Sequence, residues 1–269
     1  MYQLDFQAEV GYCLISLEKY RNTAHPLSCG LKPEEKTIAK QKITAVPSIR
    51  RLPSYLQIIR QAKNDNLEYI SGTVIAQELS LDPIQVRKDI TITGIIGKPK
   101  KGYPVVALMT AIEHFLGWDE MQQAVLVGAG NLGTALAGYQ NFQYHGLNIC
   151  AAFDTDPAKI SKEIHGVPVF SLETADVYIK NFNAKIAILT VPSSQAQITA
   201  DKIIAAGITA IWNFTNVKLK VPENVSVQRE DLTSGYAILC VKMNAKKACE
   251  TCGESKAGAN CGECGVYAE

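Results

Sequence analysis

The chain has 269 residues, 47% of them hydrophobic and 20% charged, with a formal net charge of +1. That length predicts two domains with ample core, and the balance excludes a disordered chain or one dominated by a single charge sign. No apolar stretch approaches about 18 residues and no basic segment leading into an apolar one opens the chain, so a cytoplasmic protein without membrane contact is expected.

Residues 1–42 carry no clean periodicity, and Pro26, Gly30 and Pro33 interrupt any helix near Leu14 to Tyr20. They are expected to form a loosely attached extension, or to reflect a start codon placed too far upstream. From Ser48 the pattern changes. Ile49, Leu52, Leu56 and Ile59 recur at helical spacing, with Arg50, Arg51, Arg60 and Lys63 on the other faces. Ser71-Gly72-Thr73 opens a second helix through Leu79. Asp82 then reads as an N-cap with Pro83 in the first turn of a third helix carrying Ile84, Val86 and Ile90. Two short helices joined by a tight turn make a helix-turn-helix, whose second helix enters a DNA major groove. Gln85, Arg87, Lys88 and Thr91 are the side chains it would offer, and Lys98, Lys100 and Lys101, bracketed by Gly97 and Gly102, suit a wing along the phosphates. Between residues 50 and 101, nine basic residues face five acidic ones, the sign expected of a DNA reader. Small helical domains also bind proteins, so composition alone leaves both partners open. Residues 43–118 are assigned to this domain, closed by an apolar helix over Val105 to Leu116.

The next domain, 119–230, begins with Val125 to Val127, an apolar run that ends in Gly128-Ala129-Gly130-Asn131-Leu132-Gly133 and flows into Thr134 to Ala137. Strand, G-x-G-x-x-G turn and helix start form a dinucleotide-binding unit. Gly128 permits the turn, Gly130 admits a pyrophosphate close to backbone, and Gly133 lets helix pack on strand. A second run from Leu147 closes on Asp154, where a carboxylate would accept hydrogen bonds from an adenosine ribose and favour NAD over NADP. Further apolar runs at 167–170, 185–191 and 209–214 alternate with helical stretches near 156–164, 172–181 and 194–206, which predicts a doubly wound parallel sheet of the Rossmann type. Ligands in such sheets lie at the carboxyl ends of strands, so Thr190, Val191, Pro192, Asn213 and Phe214 are expected to line the pocket, or to be strand-end turn chemistry. Residues 231–247 read as a last helix with Leu232, Tyr236, Leu239 and Met243 on one stripe, a stripe that a second subunit would bury.

The tail, 248–269, holds Cys249, Cys252, Cys261 and Cys264 as two C-x-x-C-G knuckles. Four thiolates so spaced suit one tetrahedral ion, zinc by default, with iron or an iron-sulfur cluster as the other occupants. The alternative is a tail whose thiols oxidise or pair.

Positions from about 45 to 245 resemble the Rex family of redox-sensing transcriptional repressors. The resemblance rests on Arg51-Leu52-Pro53-Ser54-Tyr55-Leu56, Gln85-Val86-Arg87-Lys88-Asp89, Val127 to Ala137 with Tyr139, Ala151 to Asp154, Thr190-Val191-Pro192, Trp212-Asn213-Phe214 and Glu230-Asp231-Leu232. It implies a homodimer with an N-terminal winged helix, a Rossmann domain binding NADH or NAD+, and a last helix exchanged between subunits. It also implies release from operator DNA on NADH binding, and roles for Tyr139 and Asp231 at the cofactor-linked switch. The chain departs from the family at Ile90 to Gly94, where Leu-Ser-Tyr-Phe-Gly is usual, and in the wing, where Gly97-Lys98-Pro99-Lys100-Lys101-Gly102-Tyr103 replaces Gly-Lys-Arg-Gly-Val-Gly-Tyr. At Gln57 some members carry an arginine thought to pair with the aspartate matching Asp231, and a glutamine forms no ion pair.

The expected function is therefore an NADH/NAD+-sensing DNA-binding repressor. The alternative is a Rex-like regulatory or structural subunit of a redox enzyme complex that has left DNA. An NAD-dependent dehydrogenase is disfavoured: His114, His145 and His165 sit isolated, and no residue presents itself as a general acid or base.

Overall fold

The computed structural model describes residues 46–251. The extension 1–42 and the tail cysteines Cys252, Cys261 and Cys264 lie outside the described residues. Helix α1 (Val46–Asn64) buries Leu52, Tyr55, Leu56 and Ile59, the stripe that its periodicity marks. After the two-residue strand β1 (Tyr69–Ile70), α2 (Gly72–Glu78) starts from Ser71, whose hydroxyl accepts the Val74 N–H. Helix α3 (Pro83–Thr91) starts from Asp82, whose carboxylate accepts the N–H groups of Ile84 and Gln85. Both caps satisfy first-turn donors that the helix cannot. Strand β2 (Tyr103–Pro104) pairs antiparallel with β1, and α4 (Val105–Leu116) closes the unit. Its core joins Leu52, Tyr55, Ile59, Ile75, Val86, Ile90, Leu108 and Ile112.

Gly117, left-handed at φ 68°, ends α4 and turns the chain into a seven-stranded sheet ordered β5-β6-β4-β3-β7-β8-β9. Its strands are β3 (Gln122–Val127), β4 (Leu147–Asp154), β5 (Glu163–Ile164), β6 (Val167–Ser171), β7 (Ile186–Leu189), β8 (Ala210–Asn213) and β9 (Ser226–Arg229). All pair in parallel except β5, which is antiparallel to β6. The six parallel strands follow the dinucleotide-binding order, with β3 first, β4 and β6 to one side and β7, β8 and β9 to the other. Helices α7 (Ala175–Asn181) and α8 (Ala196–Ala206) cover one face through Val125, Phe153, Leu189, Ala200 and Ile203. On the other, α5 (Asn131–Ala137) and α6 (Asn141–Tyr144) lie near Leu126, Ala152, Ile188, Trp212 and Phe214. Helix α9 (Leu232–Thr251) comes last.

Two expectations need correction. No helix forms over 156–164. Asp156 does accept the Ala158 N–H at 2.9 Å, and its carbonyl accepts the Lys159 and Ile160 N–H groups, but the turn does not continue: Ser161, left-handed at φ 63°, donates to the Val169 carbonyl, and a hairpin to β6 results. The last helix runs to Thr251 instead of 247, so Cys249 falls on its final turn rather than in a separate tail. Strand β9 went unread because Ser226-Val227-Gln228-Arg229 is exposed throughout and lacks the apolar run that marks the inner strands.

Candidate functional site

The glycine turn sits where the topology reverses, between the carboxyl ends of β3 and β7. Gly128 has φ 103°, and a Cβ there would lie 2.9 Å from the Thr190 backbone. At Gly133 a Cβ would collide with the Gly128 carbonyl oxygen, so helix and turn touch as the spacing requires. Gly130 is different: its φ of −81° suits any residue, and its missing Cβ faces open space with nothing within 4 Å. Room beside bare backbone, with the first-turn N–H groups of Asn131, Leu132 and Gly133 lacking helical acceptors, fits a pyrophosphate.

Asp154 ends β4 beside this turn. One carboxylate oxygen accepts the Ala129 N–H at 2.8 Å and the Lys159 ammonium at 3.1 Å; the other accepts the Asp156 N–H at 2.9 Å. Burial pushes its carboxyl up, but these donors hold it below the usual carboxylate range, so it remains an ionised hydrogen-bond acceptor. Nothing in the sequence pattern singles out the Lys159 contact.

Thr190 closes the turn from β7. Its N–H donates to the Val127 carbonyl at 2.9 Å, and its hydroxyl lies 2.8 Å from the Gly128 carbonyl oxygen. Val191 is half-buried and Pro192 exposed at the same strand end. Asn213 is buried, and its amide is engaged inside its own turn: Nδ2 donates to the Val217 carbonyl, while Oδ1 accepts the Thr215 N–H and hydroxyl. For this residue the observed contacts are strand-end turn chemistry. Phe214 packs against Trp212, the rings tilted with centroids 5.1 Å apart.

Tyr139 is half exposed, stacks edge-on with Phe142 at 4.8 Å, and accepts the Asn141 amide at its hydroxyl. Asp231 caps α9, accepting the Thr233 N–H at 2.9 Å and hydroxyl at 2.6 Å; these bonds hold its carboxyl below the ordinary range. Gln57 is exposed on α1. Within one chain, then, Tyr139 and Asp231 hold separate local partners.

In the helical unit, Arg87, Lys88 and Thr91 are exposed along α3, and the Thr91 hydroxyl donates to the Arg87 carbonyl at 2.7 Å. The Lys98 N–H donates to the Gly102 carbonyl at 2.7 Å, closing a wing with Lys98, Lys100 and Lys101 exposed. Tyr69 organises it: its hydroxyl accepts the Lys98 ammonium at 2.7 Å, and the Lys101 ammonium lies 5.3 Å over its ring. Nothing in the sequence pattern singles Tyr69 out. Nor does it give Arg51 and Asp89 their observed role. Asp89 is fully buried and accepts Arg51 Nε at 2.7 Å and Nη2 at 3.0 Å, the Tyr55 hydroxyl at 2.6 Å, and Gln85 Nε2 at 2.8 Å. Burial would raise its carboxyl, but these donors drive it far below the usual range.

The histidines lie elsewhere. His114 pairs with Asp119 at 2.6 Å, and that hydrogen bond raises its affinity for a proton. His145 packs against Trp118 with ring centroids 4.2 Å apart, and burial makes it harder to protonate. It lines a cavity of about 300 Å3 with Leu116, Gln122, Tyr139 and Trp212, at the amino ends of the strands. Strand β3 has six residues, so about 20 Å separates that end from the glycine turn. His165 packs against Gly138 from the β5–β6 hairpin. Among the described residues no cluster of three or more His, Cys, Asp or Glu suits a metal ion, and no helix is long and apolar enough to cross a membrane.

A winged helix-turn-helix unit followed by a dinucleotide-binding sheet defines the class: a regulator built from a nucleic-acid reader and a nucleotide sensor. Residues 44–91 match the family described as putative DNA-binding protein N-terminus, and residues 119–217 match the CoA binding domain. A redox-sensing transcriptional repressor Rex from Treponema denticola is 63% identical over 210 residues, covering 78% of this chain and 100% of the relative. Its namesake from Bacteroides fragilis is 36% identical over 198 residues, covering 74% and 90%. The chain belongs to the Rex family of redox-sensing transcriptional repressors. It is also similar in structure to RSP, a Rex-family repressor. RSP in complex with β-NAD+ and operator DNA aligns at TM-score 0.71 with 31% identity, covering 81% of this chain and 100% of RSP. RSP with β-NADH aligns at TM-score 0.69 with 30% identity, covering 78% and 99%.

Proposed function

We propose that this protein reports the NADH/NAD+ ratio to DNA: it holds an operator when NAD+ occupies the glycine turn and releases it when NADH does. The observation that carries this is the open space at Gly130, beside Asp154 and the first turn of α5, in a chain that also carries an exposed basic helix and wing. Gly128, Gly130, Asn131, Leu132 and Gly133 would hold the pyrophosphate, Asp154 the ribose, and Thr190, Val191, Pro192, Asn213 and Phe214 the rim of the pocket. Gln85, Arg87, Lys88 and Thr91 would meet the groove, with Lys98, Lys100 and Lys101 on phosphates. RSP, captured with NADH and with NAD+ plus operator, is a relative in which both ligand states occur.

Physically the device is a population shift. A neutral dihydronicotinamide and a cationic nicotinamide differ most where water is excluded, because burying charge is costly. A differential affinity of roughly 100-fold between the two conformations turns a tenfold excess of the DNA-competent one into a tenfold deficit. The domain scheme is that of the sequence, 43–118 reading DNA, 119–230 holding the cofactor and 231–247 pairing two copies, with Tyr139 and Asp231 at the cofactor-linked switch. We place the dimer in the cytoplasm and assign it no catalysis. The four tail cysteines would hold zinc, or iron alone or as an iron-sulfur cluster. The relatives carry repressor names, and nothing observed favours a subunit of an enzyme complex.

The test is fluorescence anisotropy of the purified chain on the RSP operator duplex and on duplexes selected from a random library, with NADH or NAD+ added, plus elemental analysis of the same sample. NADH should release the duplex at concentrations where NAD+ does not. Binding that ignores both nucleotides, or calorimetry without heat on NADH addition, would overturn the reading; absence of stoichiometric zinc or iron would remove the tail site alone.

A further inference from the structure

Gln85 lies on the flank of α3, half-buried, one turn before the fully buried Asp89. An ionised carboxylate only accepts hydrogen bonds, so the end of the Gln85 amide that faces it must be the nitrogen, and the 2.8 Å contact is Nε2 donating to Oδ1. A glutamine on a helix surface ordinarily rotates freely and presents either end. Here the carbonyl oxygen is turned away from Asp89, leaving Oε1 and the second N–H of Nε2 for another partner. That is the acceptor and donor pair that matches adenine N6–H and N7 in the major groove.

Asp89 is itself immobile. The Arg51 guanidinium grips both of its oxygens, and the Tyr55 hydroxyl, on a side chain with no exposure, holds one of them at 2.6 Å. Helix α1 thus fixes a carboxylate on α3, and that carboxylate fixes the one α3 side chain whose amide carries base-reading chemistry. Arg87 and Lys88 are exposed and carry no such constraint on which end they present, being donors only.

The geometry points to Asp89 as a positioning residue for sequence reading: through Gln85 it commits one step of the operator half-site to adenine. The inference rests on the reading of the helical unit as a DNA reader and deepens it.

The test is a double-mutant cycle on the full-length chain with Gln85→Ala, Asp89→Asn and both together. The probes are the duplex selected by the wild-type chain from a random library, variants of it with each base replaced, and an unrelated duplex of equal length at several salt concentrations. Discrimination between selected and unrelated duplex should fall roughly 10- to 100-fold in either single variant, the range for one bidentate base contact. The loss should concentrate at one A·T pair. Affinity for the unrelated duplex and its salt slope should hold within twofold, since phosphate contacts set both. In the Gln85→Ala background, Asp89→Asn should cost little more. Tyr55→Phe, which removes one donor to Asp89 without adding charge, should give a smaller loss at the same base pair.

A domain merely loosened by Asp89→Asn would lose both duplexes together and keep its cost in the Gln85→Ala background, which overturns the inference. So would wild-type preference at that base pair surviving Gln85→Ala. If the wild-type chain selects no duplex while still binding NADH, the DNA reading itself fails and takes the inference with it.

Discussion

Adding one methyl group at Gly130 or at Gly133 touches two different things. At Gly133 the new Cβ strikes the Gly128 carbonyl oxygen, a backbone atom that cannot step aside, so Gly133→Ala should cost about 1–3 kcal/mol of stability or more. At Gly130 the Cβ enters open space at an ordinary φ, so Gly130→Ala should leave urea unfolding within about 0.5 kcal/mol of wild type. Its effect should appear in calorimetry, as a loss of NADH affinity of roughly tenfold, about 1.4 kcal/mol, or more. Equal affinity in Gly130→Ala would place the pyrophosphate elsewhere. Asp89 gives the second residue-scale prediction. Its folded pKa lies below the unfolded value of about 3.9, so the fold binds fewer protons than the open chain as pH falls. The stability this carboxylate contributes is complete above about pH 5 and drains away on acidification through the folded pKa. Asp89→Ala strands the Tyr55 hydroxyl in the core, while Arg51, 29% exposed, can turn to water. A loss of about 2–3 kcal/mol at pH 7, below that of a fully buried pair, is expected. Plotted from pH 7 to pH 3, the variant's unfolding midpoint should fall less steeply than wild type, and parallel curves would show that Asp89 is not the group responsible.

At the scale of elements, the sequence was readable wherever a local cause acts alone. Asp82-Pro83 and Ser71-Gly72 announce helix starts because an N-cap is satisfied by backbone two or three residues away, and both caps form. Gly128 to Gly133 announces a turn because its sterics are internal to strand, turn and helix. Asp156-Pro157 carries the same cap signal and makes its cap bond, yet no helix follows, because Ser161 and Val169 pair in a hairpin that no local signal records. The sheet order was implied only as a class, since the pairing of β3 with β7 joins residues some 60 positions apart, as in Val127 with Leu189. Site residues divide likewise. Gly130 and Asp154 were legible from spacing, whereas the Lys159 contact, the Tyr69 clamp on the wing and the Arg51–Asp89 pair depend on tertiary neighbours. Arg51 and Asp89, 38 positions apart, read in sequence as two more surface charges.

At the scale of the whole molecule, the described residues leave apolar side chains exposed. Leu232, Tyr236, Leu239 and Met243 on α9 are each more than half exposed, and every residue of β9 at the sheet edge is exposed. Exposed apolar residues along one helix suit an interface, and a helix that follows the last strand in sequence suits a two-fold exchange with a second copy. The stripe repeats at intervals of four, three and four residues, so it presents one continuous face to whatever covers it. Tyr236→Glu combined with Leu239→Glu puts two carboxylates in that face, where burial without partners is costly. Sedimentation velocity should then report a monomer at concentrations where the wild-type chain is expected to sediment as the proposed dimer. Thermal unfolding of the sheet should persist, since neither side chain belongs to its core. The DNA consequence follows from geometry: a dimer joins its two helical readers, so the second half-site is bound at high effective concentration. Affinity for an inverted repeat should fall on the order of 100-fold or more in the double variant, while affinity for one half-site changes little. A double variant that still sediments as a dimer would mean that another surface pairs the subunits, and that the α9 stripe meets something else.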